Sequence, residues 1–186
     1  MRLPLLIGLL LLSGAATAQR RLRPYLGLHA SGDAEMFYLG PSAQLGADYR
    51  LTSHLGLGGY LHYFRRRIDR DFGNYQTEQG RFDCLTGAVL LDVRLGRQPE
   101  RRGPFVGGGL ALQYLRDEYQ TNRLRIYTLR KHDVLPALRL GYAFPLGRHQ
   151  LTAELNATGP YSEFNDYGGS TTELITQLSL GTRLLW

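Results

Sequence analysis

Eight stretches of about ten residues alternate apolar and polar side chains at period two, and this alternation constrains the fold more than any other feature of the chain. Strands are expected at Leu22–Ala30, Ser42–Leu51, Leu55–Arg66, Phe82–Leu95, Phe105–Leu115, Val134–Phe144 and Gln150–Thr158, with an eighth from about Thr171. In the second, Ala43, Leu45, Ala47 and Tyr49 oppose Gln44, Gly46, Asp48 and Arg50. In the fourth, Leu85, Val89, Leu91 and Val93 oppose Thr86, Asp92 and Arg94. Pro136 cannot donate to a ladder, so it is expected to mark a strand start or a bulge in the sixth.

The connections alternate in length. Residues 31–41, 67–81, 116–133 and 159–170 form long links, whereas 52–54, 96–104 and 145–149 form shorter ones. That is an up-and-down meander whose two ends differ. A water-soluble barrel points its apolar face inward and needs no such asymmetry. A transmembrane barrel reverses the dyad, with apolar side chains toward lipid, short turns at one rim and long loops at the other. Three features favour the second. The apolar face is aliphatic, with Tyr49, Tyr63, Tyr114, Tyr142, Phe144 and Trp186 near strand ends, as interfacial girdles require. The polar face is rich in glycine, which suits a narrow interior crowded by Tyr and Arg. Asp48, Arg50, Asp92, Arg94, Arg139, Glu154 and Arg183 all fall on that face, with both signs present, as a self-neutralising lumen needs. Arg139 is expected inside, paired with Glu154, Asp92 or Asp48. The fold expected is an all-β, eight-stranded, antiparallel up-and-down transmembrane β-barrel.

The opening residues carry Arg2, an apolar run from Leu3 to Leu12, and Ala16-Thr17-Ala18. This is the layout of a secretory signal peptide, and the run is too short for a spanning helix. Cleavage is expected before Gln19, giving residues 1–18 as signal peptide and 19–186 as the barrel domain. Removing 18 of 186 residues, Arg2 among them, takes the formal charge from +6 to +5. No apolar stretch of spanning length follows residue 18, which excludes a helical membrane protein. Cys84 is the single cysteine, so there is no internal disulfide frame, and it reads as a small apolar wall residue. Of the 22 basic residues Lys131 is the one lysine. Arginine suits forked pairing with carboxylate or phosphate. Nucleic acid is a poor partner for an exported chain, so acidic lipids or internal ion pairs are expected to take the charge.

The closing stretch "LSLGTRLLW" places Leu178, Leu180, Leu184 and Trp186 in phase, with Thr182 a mild departure. With the eight alternating segments, it resembles the eight-stranded outer-membrane β-barrel proteins of Gram-negative bacteria (small porin-like barrels). The resemblance covers the chain from residue 19 onward and is one of architecture. It implies location in the bacterial outer membrane, a monomer, and a C-terminal signal read by the barrel-assembly machinery during biogenesis, here Leu178, Leu180, Leu184 and Trp186.

Some such barrels modify lipids, and the candidate general bases here are His29, His54, His62, His132 and His149. A resemblance to lipid A deacylases calls for His and Ser on the lipid-facing wall. His62 has the wrong parity, and Ser162, beside Glu163, falls in the fourth long loop. No catalytic residue is expected. His29 and His62 approach the same rim, yet no close-spaced His, Cys and carboxylate set suggests a metal, and no cofactor is implied. Tyr60 and Arg139 would fill the interior of an eight-stranded barrel, which argues against a pore. The long loops hold Arg65, Arg66, Arg67 and Arg70 among Phe64, Phe72 and Tyr75, then Arg116, Arg123, Arg125, Arg130 and Lys131 beside Tyr119 and Tyr127. Arginine forks there suit lipopolysaccharide phosphates, with Arg65, Arg66, Arg67, Arg70, Arg123 and Arg125 the candidate contacts; a plain solvated loop face is the equal alternative. "RIYTLR" alternates well enough for strands to continue beyond the membrane. The leading expectation is a non-enzymatic barrel with a structural or surface-interaction role. The alternatives are a lipid A- or phospholipid-modifying barrel enzyme and a soluble exported lipocalin-like barrel.

Overall fold

The computed structural model describes residues 21–33, 40–71, 77–97, 99, 102–121, 126–164 and 170–186. The expected signal peptide, residues 1–18, lies outside them. Eight strands follow in order: β1 (Leu22–Asp33), β2 (Gly40–Arg50), β3 (Leu55–Asp71), β4 (Thr77–Arg94), β5 (Gly103–Thr121), β6 (Ile126–Leu146), β7 (His149–Phe164) and β8 (Ser170–Leu185). Each is antiparallel to its sequence neighbour, and β1 pairs with β8 from Tyr25–Leu185 to Asp33–Gln177, closing the barrel. Closure satisfies the ladder of every strand and leaves no sheet edge around the wall, a requirement in hydrocarbon.

At the rim bearing the short links, Leu51 and Thr52 donate backbone hydrogen bonds to the Leu55 carbonyl, both at 3.0 Å. The Thr52 hydroxyl accepts from the Leu55 amide at 3.0 Å. Gly147, at φ +60°, supplies the left-handed residue of the two-residue turn between β6 and β7.

The strands run past the limits expected from sequence at the opposite rim. Much of 67–81 and 116–133, expected as loop, is strand: β3 reaches Asp71, β4 starts at Thr77, β5 reaches Thr121 and β6 starts at Ile126. The continuation suggested by "RIYTLR" is therefore present. The pairing itself carries these segments, from Arg65–Asp83 up to Asp71–Thr77 and from Asp117–Leu129 to Gln120–Ile126. Their apolar alternation is weak because both faces have left the hydrocarbon. Pro136 neither starts a strand nor sits in a bulge; it lies within β6 opposite Leu110. It stands one residue beyond Ala137–Thr158, where the β6–β7 register begins, and a residue without an N–H is tolerated at the end of a ladder. The irregularity occurs instead in β7, where the register with β8 shifts between Thr158 and Tyr161 around Gly159, at φ +135°, and Pro160.

The dyad is inverted relative to a water-soluble barrel. Leu28, Leu45, Leu110, Val134 and Leu180 are each at least 60% exposed on the outside, whereas Gln113, Arg139 and Arg183 are at most 1% exposed within. On β6 the outward apolar residues run from Val134 to Phe144, a height of ~26 Å for a strand tilted by about 40°. This exterior is incompatible with the soluble lipocalin-like alternative, because it would set an unbroken aliphatic wall in water.

Candidate functional site

Inside the barrel, β2, β4, β6, β7 and β8 converge three carboxylates and three guanidinium groups. Arg139 Nε donates to Asp92 Oδ1 at 3.2 Å, and its Nη2 reaches Asp92 Oδ2 and Asp48 Oδ1, the latter at 3.3 Å. Arg183 Nη1 donates to Asp48 at 3.3 and 3.4 Å, while its Nε pairs with Glu154. Arg94 closes the set from below, 3.5 Å from Asp48 and 3.2 Å from the Gln150 side-chain carbonyl. Three positive and three negative charges balance, as burial demands. The Arg183 guanidinium also lies over the Tyr25 ring, 4.4 Å from its centroid. Arg50, expected with this set, lies half-buried at the end of β2 beside the turn-bearing rim.

Glycine makes the space. Each of the five most buried members has a glycine directly opposite: Asp48 faces Gly58, Asp92 and Arg139 both face Gly107, Glu154 faces Gly181, and Arg183 faces Gly27. A Cβ at Gly58 would come within 2.5 Å of Arg139 Nη2 and 3.0 Å of Asp48 Oδ1. The width of an eight-stranded barrel does not admit long charged side chains beside ordinary ones.

Above the ion set, Gln44, Tyr60, His62, Asn156, Thr158, Gln177 and Ser179 line a cavity of about 10 Å³, roughly the room one water needs. Higher still, Phe64, Phe82, Cys84, Leu115 and Leu135 pack together in the lumen, on the inward face of β3–β6. Tyr60 and Arg139 are buried within it, as a blocked interior requires. Parity could not reveal one contact. His62 Nε2 lies 3.1 Å from the Ser31 hydroxyl, itself 2.6 Å from the Ser42 hydroxyl. All three residues are buried, Ser31 completely, so this serine–histidine pair faces no lipid and no solvent. The His29 and His62 rings meet edge-on at 5.8 Å. Among the described residues no group of three His, Cys, Asp or Glu side chains is placed to hold a metal.

The outer rim differs in one respect from the sequence expectation. Arg65 and Arg67 point outward and are exposed. Arg66 does not: strand alternation turns it inward, where it is 6% exposed and covers the Phe82 ring at 5.2 Å. Arg123, Arg125 and the side chain of Arg70 lie outside the described residues. Arg65 Nε donates to Asp83 at 2.7 Å and the Tyr63 hydroxyl donates to the same oxygen at 2.6 Å. Partial burial raises the Asp83 carboxyl, but these two hydrogen bonds and the charge of Arg81 hold it below the ordinary value. Arg81, Arg116 and Glu118 join this outward cluster; they fall in segments whose polar composition reads as loop. In β8, Leu180 and Trp186 face outward, 63% and 52% exposed, with Leu178 and Leu184 half-buried beside them.

No protein family matches the chain by sequence, and no curated protein does. Solved structures do match the fold. Neisserial surface protein A aligns with a TM-score of 0.59 at 11% identity, over 88% of this chain and 94% of that one. The attachment invasion locus protein Ail of Yersinia pestis, in complex with the heparin analogue sucrose octasulfate, aligns at 0.56 and 15% identity, over 89% and 97%. A major outer-membrane protein of Thermus thermophilus aligns at 0.54 and 13% identity, over 88% and 99%. The fold is that of the eight-stranded outer-membrane β-barrels, and the apolar exterior around a charged interior places the chain in an outer membrane.

Loss of Arg139 should strand Asp92, whose ion partner it is. Arg139→Leu is expected to destabilise the barrel by about 3–5 kcal/mol in urea unfolding from lipid vesicles, with a large part recovered in Arg139→Leu/Asp92→Leu. Equal stability of the single variant and the wild type would remove the network from the centre of the fold.

Proposed function

We propose that this chain is a non-enzymatic outer-membrane barrel with a structural or surface-interaction role, working as a monomer among outer-membrane lipids and lipopolysaccharide. The observation that carries this reading is the filled interior. An ion set, a polar layer and an apolar cluster follow one another along the lumen, and the cavity between the described residues of the polar layer has room for about one water. The serine–histidine contact that could support acyl transfer is buried on the lumen side of the wall, away from the lipid-facing surface. What the barrel offers its surroundings is its outer surface.

Two measurements test this. After carbonate washing the chain should stay with the outer-membrane pellet and show heat-modifiable gel mobility; release into the soluble periplasm would sink the reading. Lipid A compared by mass spectrometry with and without the gene should be the same. A gained or lost acyl chain would favour the lipid-modifying alternative.

Barrel assembly is the second part of the proposal. Leu178, Leu180, Leu184 and Trp186 form the outward stripe of β8, the strand that closes on β1, and the Trp186 amide donates to the Pro24 carbonyl at 3.2 Å. In this reading the stripe is the signal for the assembly machinery. Trp186→Ala should then lower outer-membrane yield in cells while purified protein still refolds in detergent, since a folded barrel survives losing one interfacial ring. Normal yield would reduce Trp186 to a girdle residue, and failure of both assays would make its packing the cause.

A further inference from the structure

The outward face of β3–β6 carries an arrangement that the fold does not need. Above the aromatic row of Tyr63, Tyr114 and His132, two rows cross these strands. The lower is Arg65, Asp83, Arg116 and Arg130; the upper is Arg67, Arg81, Glu118 and Thr128. Arg67 stands directly opposite Arg81, and Arg116 directly opposite Arg130. Like charges so placed repel and destabilise a sheet. Two carboxylates offset part of this. Asp83 pairs with Arg65 and Arg81, each at 2.7 Å, and Glu118 pairs with Arg116 and lies 3.5 Å from Arg81. Five arginines against two carboxylates leave a surplus of three positive charges in these rows. Arg67 and Arg130, at opposite corners, are exposed and have no ion pair among the described residues.

Position selects the class of partner. The lower row lies two residues above the aromatic row, ~7 Å along the strand. Aromatic belts sit at the level of the lipid headgroups, so these arginines lie in the headgroup layer. They point away from the barrel axis, toward neighbouring lipid. An arginine fork matches a phosphate with two parallel hydrogen bonds, and a phosphate set between two facing arginines turns their repulsion into attraction. Arg67 on β3 and Arg130 on β6 are three strand spacings and one row apart, ~16 Å, with the two facing pairs closer, a span suited to a headgroup with a phosphate at each end.

We propose that the outward rows of β3–β6 bind the doubly phosphorylated headgroup of an outer-leaflet glycolipid of the lipid A class, Arg67 and Arg81 holding one phosphate and Arg116 and Arg130 the other. This rests on the outer-membrane reading above and names a site within it.

Native mass spectrometry of the refolded barrel in detergent, titrated with diphosphoryl lipid A, its dephosphorylated form or inorganic phosphate, tests the site. One diphosphoryl lipid A should bind per barrel. Arg67→Gln/Arg130→Gln should weaken it by roughly tenfold or more, since each substitution removes charge-assisted hydrogen bonds. Arg67→Lys/Arg130→Lys, which keeps the charge and loses the fork, should fall between. Arg148→Gln, at the opposite rim, should bind as the wild type does. Without lipid the Gln variant should melt no lower than the wild type, because repulsion has been relieved, whereas lipid A should raise the wild-type melting temperature more. Equal binding of the dephosphorylated form or of inorganic phosphate, unchanged binding by both double variants, or a Gln variant less stable without lipid would overturn the site. If the wild type fractionates with the outer membrane yet shows none of these effects, this inference alone fails. If it does not fractionate there, the reading beneath it fails.

Discussion

Two arginines without solvent contact, Arg139 and Arg183, hold the centre of a barrel only eight strands wide, and the rest of the structure accommodates them. Their charges require Asp48, Asp92 and Glu154 within reach, from three other strands. Those side chains in turn require the glycines opposite, since the bore has no width to spare. The same crowding leaves most of the large aliphatic side chains on the outer face, where only lipid can receive them. The inverted dyad, the filled lumen and the membrane location are therefore connected consequences of charge placed inside a narrow closed sheet.

The two rims are built for different neighbours. At one, tight links such as the Gly147 turn bring adjacent strands back at once, and the Tyr142 and Phe144 rings pack tilted, 4.8 Å apart, beneath it. At the other, β3–β6 continue past the hydrocarbon and trade an apolar exterior for arginines and carboxylates. The packed interior of the described residues contributes stability. On the outer surface the change from aliphatic to aromatic to cationic rows follows the layers of a membrane leaflet.

Period-two alternation made the eight strands and their inward and outward faces legible, because a strand half in lipid and half in a charged lumen has maximal contrast between neighbours. It also sets Arg139 on one face with Glu154, Asp92 and Asp48, of which the register gives it Asp92 and Asp48 and leaves Glu154 to Arg183. Where the contrast fades, the sequence gives less: 116–133 reads as loop apart from the alternation of "RIYTLR", although the strands simply continue into a polar layer. Composition groups Arg66 with Arg65 and Arg67, whereas strand alternation turns it inward. The Ser31–His62 contact and the facing arginine pairs depend on cross-strand register. Register is fixed by pairing between segments distant in sequence, and one chain does not display it.

Lipid contact at each position tests the inverted dyad most directly. In bilayer nanodiscs carrying a paramagnetic label on the acyl chains, methyl signals of Leu45, Leu110 and Leu138 should broaden strongly. Signals of Gln44, Ala111 and Arg139, their inward neighbours, should not. The alternation should repeat along β2, β5 and β6. Broadening at Gln44, Ala111 and Arg139 with protection of the leucines would contradict the inward placement of the charges, and the account of the fold with it.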